Sequence, residues 1–240
     1  MASTTPIIHT HAYPTAASDE VDKAIQQGQE YELFSYWRST ASWRVRIALA
    51  FKNIPHRIHP INLLKNEQQS EEYKKIHPLA EIPALKLTDG RTLTQSSAII
   101  EYLEETHSFP SLLPLDAYKR AQVRAIVGTI VSDIHPIQNL RVQKKYSEDP
   151  DQRAAWAQYW ISLGFDALEQ MLAPLAGKYS VGDDVTMADV CLVPQVYNAV
   201  RWKVDMTKYP TIVRVCENLS VLPAFIAAQP SNQPDAPVDA

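Results

Sequence analysis

Apolar and polar positions form two successive patterns along the chain. Between residue 31 and about residue 94, short apolar runs that predict strands alternate with segments whose apolar residues recur every three or four positions, which predicts helices. The predicted elements are the strands Tyr31–Tyr36, Arg57–Ile61, Ala84–Leu87 and Arg91–Thr94 and the helices Ala41–Asn53, Glu67–Ile76 and Gln95–Thr106. This β-α-β-α-β-β-α order is that of a small α/β unit with a mixed sheet.

After the proline-containing stretch Phe109–Pro114, every predicted element is helical. The predicted helices are Asp116–Lys145, Pro150–Leu175, Thr186–Arg201, Tyr209–Asn218 and Leu222–Ala227. The third has capping-box spacing at its start, where Asp189 follows Thr186 by three residues. The sequence therefore predicts an α+β protein, with an α/β domain at 31–108 followed by an all-helical domain at 116–228.

The two ends of the chain lack these patterns. Residues 1–30 are predicted to be a largely disordered N-terminal extension, because residues 1–17 are rich in Ser, Thr, Ala and Pro. Residues 229–240 are predicted to be a loose tail. The first 30 residues contain no arginine and no apolar segment typical of secretory signals, so we expect a cytoplasmic protein.

Composition excludes several classes of function. A net charge of −4 at pH 7 lacks the basic excess that nucleic-acid-binding proteins use. No run approaches the ~20 apolar residues of a membrane span. The two cysteines, Cys191 and Cys216, form no C-x-x-C pair, and the seven histidines show no zinc-ligand spacing. We therefore expect neither a disulfide framework nor a metal site.

A hydroxyl turn, Ser39–Ser42, precedes the apolar part of the first predicted helix. Ser39, Thr40 and Ser42 place three hydroxyls beside the unpaired N–H groups of a helix start, where an anion is stabilised. Simple helix capping is the alternative, and spacing alone favours it.

Two further segments are candidates for ligand contact. Pro83 at the entry of a strand is either an ordinary edge residue or part of a cis bond that lets the Ile82 backbone pair with an extended peptide. Gln95 and Ser96 begin a helix, where a hydroxyl and free N–H groups suit a carboxylate; a cap is again the alternative.

The three segments follow one another in this order on an α/β unit that is followed by helices. In this respect the chain resembles the glutathione transferases, whose first domain is thioredoxin-like. Within that family the resemblance is to the zeta class and covers about residues 31–235. The motifs that carry it are Tyr36–Leu49, Pro60–Leu63, Gln95–Ser96, Ile99–Thr106, Pro136–Leu140, Val181–Asp189, Leu192–Gln195 and Arg201–Asp205.

The resemblance implies a glutathione-dependent cis–trans isomerase that converts maleylacetoacetate to fumarylacetoacetate in phenylalanine and tyrosine breakdown. It implies glutathione as the cofactor, a small anionic substrate and a homodimer. A general glutathione transferase or an α-haloacid dehalogenase on the same site is the alternative, and conjugation would consume glutathione. A binding module that kept the fold and lost the chemistry is the third interpretation.

The resemblance also implies roles for single residues. Ser39 or Thr40 would be the catalytic donor to the glutathione sulfur, and the family pattern favours Ser39. Arg44 and Arg201 would hold the substrate carboxylates, since Arg suits bidentate capture of a dianion. A surface or subunit-interface salt bridge is the alternative for Arg44, and Arg201 is expected to close a helix whose start faces the site. The implied glutathione contacts are Ser39, Thr40, Gln69, Ile82, Pro83, Gln95, Ser96, His135 and Asn139.

The hydroxyl turn departs from the family pattern Ser-Ser-Cys-x-Trp-Arg. Thr40 replaces the second Ser and keeps its hydroxyl, whereas Ala41 replaces the Cys and removes a thiol. If glutathione supplies the reactive sulfur, the isomerase activity is compatible with this change. His135 stands where some relatives carry Gln, and it can still donate a hydrogen bond.

Overall fold

The computed structural model describes residues 30–239. Apart from Glu30, the predicted N-terminal extension lies outside these residues. Within the described residues a sheet-containing part is followed by a helical part, which confirms the predicted α+β class and its thioredoxin-like first part.

A four-stranded mixed sheet with the order β2-β1-β3-β4 forms the centre of the first part. The strands are β1 (Tyr31–Ser35), β2 (His56–Pro60), β3 (Ala84–Lys86) and β4 (Thr92–Thr94), and each lies within one residue of its predicted bounds. β1 pairs in parallel with β2 and antiparallel with β3, which pairs antiparallel with β4. Helices cover both faces of β1: Leu33 lies in the main core, and Phe34 contacts Tyr73 on the opposite face.

The helices of the first part are α1 (Thr40–Phe51), α2 (Glu71–Ile76) and α3 (Ser96–Thr106). The predicted helix Glu67–Ile76 is wrong in its first half, where Glu67–Gln69 forms a 3-10 turn. Ser70 causes the difference, because its hydroxyl accepts a 3.2 Å hydrogen bond from the N–H of Tyr73 and so starts α2.

The helices of the second part are α4 (Ala117–Gly128), α5 (Leu140–Tyr146), α6 (Pro150–Leu172), α7 (Met187–Arg201), α8 (Pro210–Ser220) and α9 (Pro223–Ala227). The prediction of one helix over Asp116–Lys145 is wrong, since a π-helical turn, Thr129–Ile134, separates α4 from α5. Pro136 has no N–H to continue the helix, and Asn139 caps a new one. None of the described helices is both long and apolar enough to span a bilayer.

One hydrophobic core runs through both parts, and α1 lies at its middle. α1 packs against α3 in the first part and against α7 in the second. At the end of α1 the buried ammonium of Lys52 donates to Glu104 at 2.7 Å and to the carbonyls of His107 and Pro110. These bonds fix the connection between the two parts, so α1 is held rigidly at their junction.

The residues after α9 pack on the first part, which differs from the predicted loose tail. Pro230–Asn232 forms a 3-10 turn, and Gln233 is only 8% exposed. The carboxylate of Asp235 accepts the N–H of Trp37 at 2.9 Å. The composition of this segment concealed the contact, because its partners come from the opposite end of the described chain.

Candidate active site

Ser39 is the N-cap of α1. Its hydroxyl oxygen accepts the N–H of Ser42 at 3.2 Å, so the capping interpretation of this residue is confirmed. Accepting a hydrogen bond occupies a lone pair and leaves the hydroxyl proton available for donation. Ser39 is only partly buried. Capping and ligand binding are therefore compatible in this residue.

Thr40 points towards the helical part and is 5% exposed. Its Oγ1 accepts a hydrogen bond from Asn198 Nδ2 of α7 at 3.0 Å and lies 3.4 Å from Nδ1 of His135. The two neighbouring hydroxyls thus have different surroundings: that of Thr40 joins the two parts of the molecule, and that of Ser39 stays at the helix start.

His135 follows the π-helical turn, and its N–H donates to the carbonyl of Ile130 at 2.9 Å. π-Helical turns often occur at functional sites because they shift a side chain out of the regular helical path. Burial and then the positive charge of Arg44 hold the pKa of His135 well below its usual value. The imidazole beside Thr40 is therefore neutral near pH 7.

Arg44 is 1% exposed, so its interpretation as a surface or subunit-interface salt bridge is wrong. Its Nη1 donates to Oγ of Ser96 at 3.3 Å, while Nε and Nη2 have no hydrogen-bond partner among the described residues. Burial lowers the pKa of this guanidinium. Burial also raises the pKa of the Cys191 thiol to about 11, and the positive charge of Arg44 partly offsets that rise. The structure brings Arg44 together with Ser96, a predicted glutathione contact.

Gln95 and Ser96 form the start of α3. Gln95 adopts a φ of 70°, a sparsely populated conformation for a residue with a side chain, and its side chain makes no cap hydrogen bond. Backbone strain of this kind occurs preferentially at ligand sites. Ser96 is 7% exposed and is oriented by Arg44. The start of α3 therefore keeps free N–H groups beside a fixed hydroxyl, as a carboxylate ligand needs.

The Ile82–Pro83 bond is cis, which confirms that interpretation of Pro83. Ile82 is partly buried, and within residues 30–239 its backbone N–H and C=O have no hydrogen-bond partner. The preceding carbonyl, that of Glu81, accepts the Tyr73 hydroxyl at 2.7 Å. A segment anchored in this way presents free backbone groups to an extended peptide.

Gln69 and Asn139 are the two remaining predicted contacts, and among the described residues they are not linked by hydrogen bonds to the hydroxyl turn. Gln69 is exposed at the end of the 3-10 turn, whereas its neighbour Gln68 buries an amide oxygen that has no partner among the described residues. Asn139 caps α5 by accepting the N–H of Arg141 at 3.1 Å. No hydrogen bond described for either residue connects it to the hydroxyl turn.

Arg201 is the last residue of α7 and lies one turn beyond Asn198, so the end of this helix meets the hydroxyl turn, not its start as expected. Burial and then the charge of Arg38 lower the pKa of Arg201. Each guanidinium lies over its neighbouring indole, with Cζ 5.2 Å from the Trp37 ring centroid for Arg38 and 4.9 Å from that of Trp202 for Arg201.

Arg38 was missed in the sequence, although it directly precedes Ser39. Among residues 30–239 neither Arg38 nor Arg201 forms an ion pair with a carboxylate. The charge of Arg38 acts on Arg201, and neither guanidinium is paired with a carboxylate among residues 30–239, so the two are suited to a dianion. Only the fold could bring them together, since 163 positions separate them in the chain (201 minus 38).

Comparison with known proteins identifies the family of this chain. The chain matches the family described as glutathione S-transferase, N-terminal domain, over residues 38–106, and the one described as glutathione S-transferase, C-terminal domain, over residues 133–231. The maleylacetoacetate isomerase of Rattus norvegicus is 53% identical over 209 residues, which are 86% of this chain and 95% of the relative.

Two solved proteins have the same architecture. The holo structure of a bacterial maleyl pyruvate isomerase, a zeta-class glutathione S-transferase, has a TM-score of 0.82 and 43% identity and covers 86% of this chain and 100% of its own. The maleylacetoacetate isomerase of Anaeromyxobacter dehalogenans 2CP-1 with glutathione bound has a TM-score of 0.80 and 43% identity, with coverages of 87% and 98%. Another structure of the latter holds dicarboxyethyl glutathione and citrate in the active site.

Proposed function

This chain belongs to the glutathione S-transferase family, and we propose that it is a glutathione-dependent cis–trans isomerase that converts maleylacetoacetate to fumarylacetoacetate in phenylalanine and tyrosine breakdown. The observation that carries the proposal is the state of Ser39, which caps α1 through an oxygen lone pair and keeps its hydroxyl proton for a ligand.

The residues at the site fit glutathione as the cofactor. The free backbone of Ile82 suits its peptide backbone, and the start of α3, with Ser96 held by Arg44, suits its γ-glutamyl carboxylate. Pro83 supports the Ile82 segment, Gln95 lies at the same helix start, and Gln69, His135 and Asn139 remain proposed further contacts. When bound, glutathione supplies a thiolate that adds to the cis double bond, permits rotation about the resulting single bond and leaves again.

Ser39 stabilises the thiolate form in this mechanism. A free thiol has a pKa of ~8.5 and is mostly protonated at neutral pH. A hydrogen bond to a charged group contributes ~1.5–3 kcal/mol, which lowers a thiol pKa by roughly one to two units. Ser39 is the better donor of the two candidates, because the Thr40 hydroxyl is already engaged with Asn198 and His135.

Arg38 and Arg201 hold the substrate in this proposal. Both lie near the hydroxyl turn, without an ion-pair partner among the described residues, and a diacid carries two carboxylates that need cationic partners. Arg44 is assigned instead to the glutathione end, because it is buried behind Ser96. A site with two arginines and no protein thiol at Ala41 favours an anionic substrate activated by the glutathione sulfur alone.

The test is turnover of maleylacetone with catalytic amounts of glutathione, measured for wild type, Ser39→Ala and Ser70→Ala. Ser70 is a matched control because it caps α2 with the same 3.2 Å hydrogen bond. Both variants lose a helix cap, at a cost of ~1 kcal/mol of stability, but only Ser39→Ala is expected to lose turnover. Equal activity of the two variants would remove Ser39 from the mechanism.

Glutathione consumption separates this proposal from its alternatives. An isomerase leaves total glutathione unchanged, whereas a transferase or an α-haloacid dehalogenase would form a conjugate or release halide from a 2-chloro acid. A binding module would retain glutathione without turning over any of these compounds.

We also propose a homodimer in the cytoplasm. Phe109, Leu115 and Tyr118 are close in sequence, and their exposed fractions range from 69% to 101%. Large apolar side chains that are exposed together favour a contact with another protein. Sedimentation velocity of wild type and of a Leu115→Asp, Tyr118→Asp variant tests the dimer, and cell fractionation tests the location.

A further inference from the structure

The loop between β1 and α1 carries Arg38 and leads directly into Ser39, and a buried guanidinium holds it from below. Arg46 of α1 is 2% exposed. Its Nη1 donates to the Ser35 hydroxyl at 3.1 Å and to the Tyr36 carbonyl at 3.3 Å, and its Nη2 donates to the Trp37 carbonyl at 2.9 Å. The carbonyl side of this loop is therefore fixed by α1 itself.

The N–H side of the same loop is fixed by the C-terminal segment, which we define as residues 228–237. The Asp235 carboxylate accepts a hydrogen bond from the N–H of Trp37 at 2.9 Å. Burial lowers the pKa of Arg46 to about 9, and the negative charge of Asp235 partly offsets this effect. The segment is anchored beside this contact, because Arg46 Nε donates to the carbonyl of Ala228 at 3.1 Å. The Gln233 amide also donates to the carbonyls of Ala227 and Gln229.

A cavity that is partly open to solvent adjoins the loop at this point. It has a volume of about 730 Å³ and is lined by Tyr36, Trp37, Arg38, Pro60, Asn62, Leu64, Glu67, Asp235 and Pro237. None of the proposed glutathione contacts lines it. Packed side chains hold a backbone in place through many small contacts, and a cavity cannot do so. Where the loop borders the cavity, its position therefore depends on polar contacts. The hydrogen bond from the Trp37 N–H to Asp235 is such a contact.

We propose that the C-terminal segment is a positioning element of the active site, and that Asp235, through the Trp37 N–H, sets the place of Arg38 and Ser39. The inference rests on the function proposed above for Ser39. In this proposal Asp235 is a positioning residue, which acts through the two residues that follow Trp37 in the chain. The segment predicted as a loose tail is then part of the catalytic apparatus.

The test compares Asp235→Ala and Asp235→Asn with Asp239→Ala in the full chain. Asp239 is an exposed carboxylate in the same region, and no contact of its side chain is described, so it is the matched control. The ultraviolet absorbance of the glutathione thiolate is titrated with pH for each variant, and kcat and KM are measured well below the unfolding temperature. Asp235→Ala is expected to raise the pKa of the bound thiol by about one unit and to lower kcat about tenfold.

The control and the conservative variant sharpen the result. Asp239→Ala is expected to match wild type, and Asp235→Asn, whose amide oxygen still accepts the Trp37 N–H, should recover most of the loss. A purely structural role would lower the unfolding temperature and leave the thiol pKa unchanged, which would overturn the proposal. If Asp235→Ala does not fold, Gln233→Ala loosens the segment with Asp235 in place, and the same rise in thiol pKa is expected; its absence would likewise overturn it.

Failure of the proposed function remains distinguishable from failure of this inference. If wild type binds glutathione as a thiolate but does not isomerise maleylacetone, the isomerase proposal fails, and the thiol pKa still decides the role of Asp235. If wild type does not bind glutathione, amide hydrogen exchange at residues 37–39 decides it: Asp235→Ala should increase exchange there, and unchanged exchange would overturn the positioning role.

Discussion

Asn198 of α7 donates a 3.0 Å hydrogen bond to the hydroxyl of Thr40, the first residue of α1. This bond spans the two parts of the molecule at the hydroxyl turn. It uses an acceptor site of Thr40 at the point where the family pattern offers two equivalent hydroxyls. The geometry therefore gives Ser39 and Thr40 separate tasks, one towards the ligand and one towards the helical part.

Replacing Thr40 by Val is expected to weaken the junction more than the chemistry. The substitution removes a buried hydrogen bond and leaves the Asn198 amide unsatisfied, which costs ~1–3 kcal/mol of stability. We expect a lower unfolding temperature with kcat within about tenfold of wild type, whereas Ser39→Ala loses turnover. Thr40→Val combined with Asn198→Leu should cost less than the sum of the single variants. A Thr40→Val enzyme as inactive as Ser39→Ala would contradict this division.

Arg44→Met is expected to weaken glutathione binding without weakening the fold. Arg44 is buried, and two of its three guanidinium nitrogens have no partner among the described residues, so an apolar side chain of similar length is tolerated there. Loss of its bond to Ser96 should raise the glutathione KM about tenfold. The unfolding temperature should stay the same or rise. Calorimetry with glutathione and thermal unfolding measure the two effects, and an increase confined to the KM of maleylacetone would instead support a substrate role.

Arg38→Gln and Arg201→Gln are expected to raise the KM for the anionic substrate, each about tenfold, with little effect on glutathione affinity. Because the two guanidinium groups bind one dianion, their effects should be non-additive. Arg57→Gln, which removes an exposed guanidinium on β2, is the control. The effect should diminish at high salt, since ions screen charges that are partly exposed. Unchanged KM in both variants would exclude this pair as the carboxylate site.

His135→Gln should make the protein less sensitive to acid. The pKa of His135 is lowered in the folded state, so below its usual value of ~6.5 the unfolded chain takes up a proton that the folded chain does not. Stability therefore falls as pH decreases from ~6.5 towards the folded pKa, and a neutral Gln removes this share of the loss. Denaturant unfolding at about pH 5 and pH 8 measures it. An identical pH dependence in wild type and variant would contradict the lowered pKa.

Thiol-alkylating reagents are expected to leave activity intact. Cys191 is fully buried with a pKa raised to about 11, and burial also raises the pKa of the partly buried Cys216, so neither presents a thiolate at neutral pH. Ala41→Cys should restore sensitivity to iodoacetamide, and glutathione should slow the inactivation. Mass spectrometry of the treated wild type provides the control, and rapid inactivation of wild type would show an accessible thiol.

The strands and most helix starts, those of α2 and α5 excepted, could be predicted from local sequence because local physics determines them. The short apolar runs place β1 to β4 within one residue, and cap residues such as Ser39 and Thr186 mark helix starts by their side-chain chemistry. The break between α4 and α5 was missed, since helical periodicity continues through a segment whose hydrogen bonds change to the π pattern at Thr129–Ile134.

By itself the sequence determined the α+β order, the cis bond before Pro83 as one of two interpretations, and the set of hydroxyls and cations from which a site could be built. Only the tertiary structure decided their relations: Thr40 with Asn198, Arg44 with Ser96, Arg38 with Arg201, and Asp235 with Trp37. Each pair is separated by between 52 and 198 positions. Local propensity carries no information about such distant contacts; they arise because α1 is packed between two parts of the molecule and brings residues from both to its first turn.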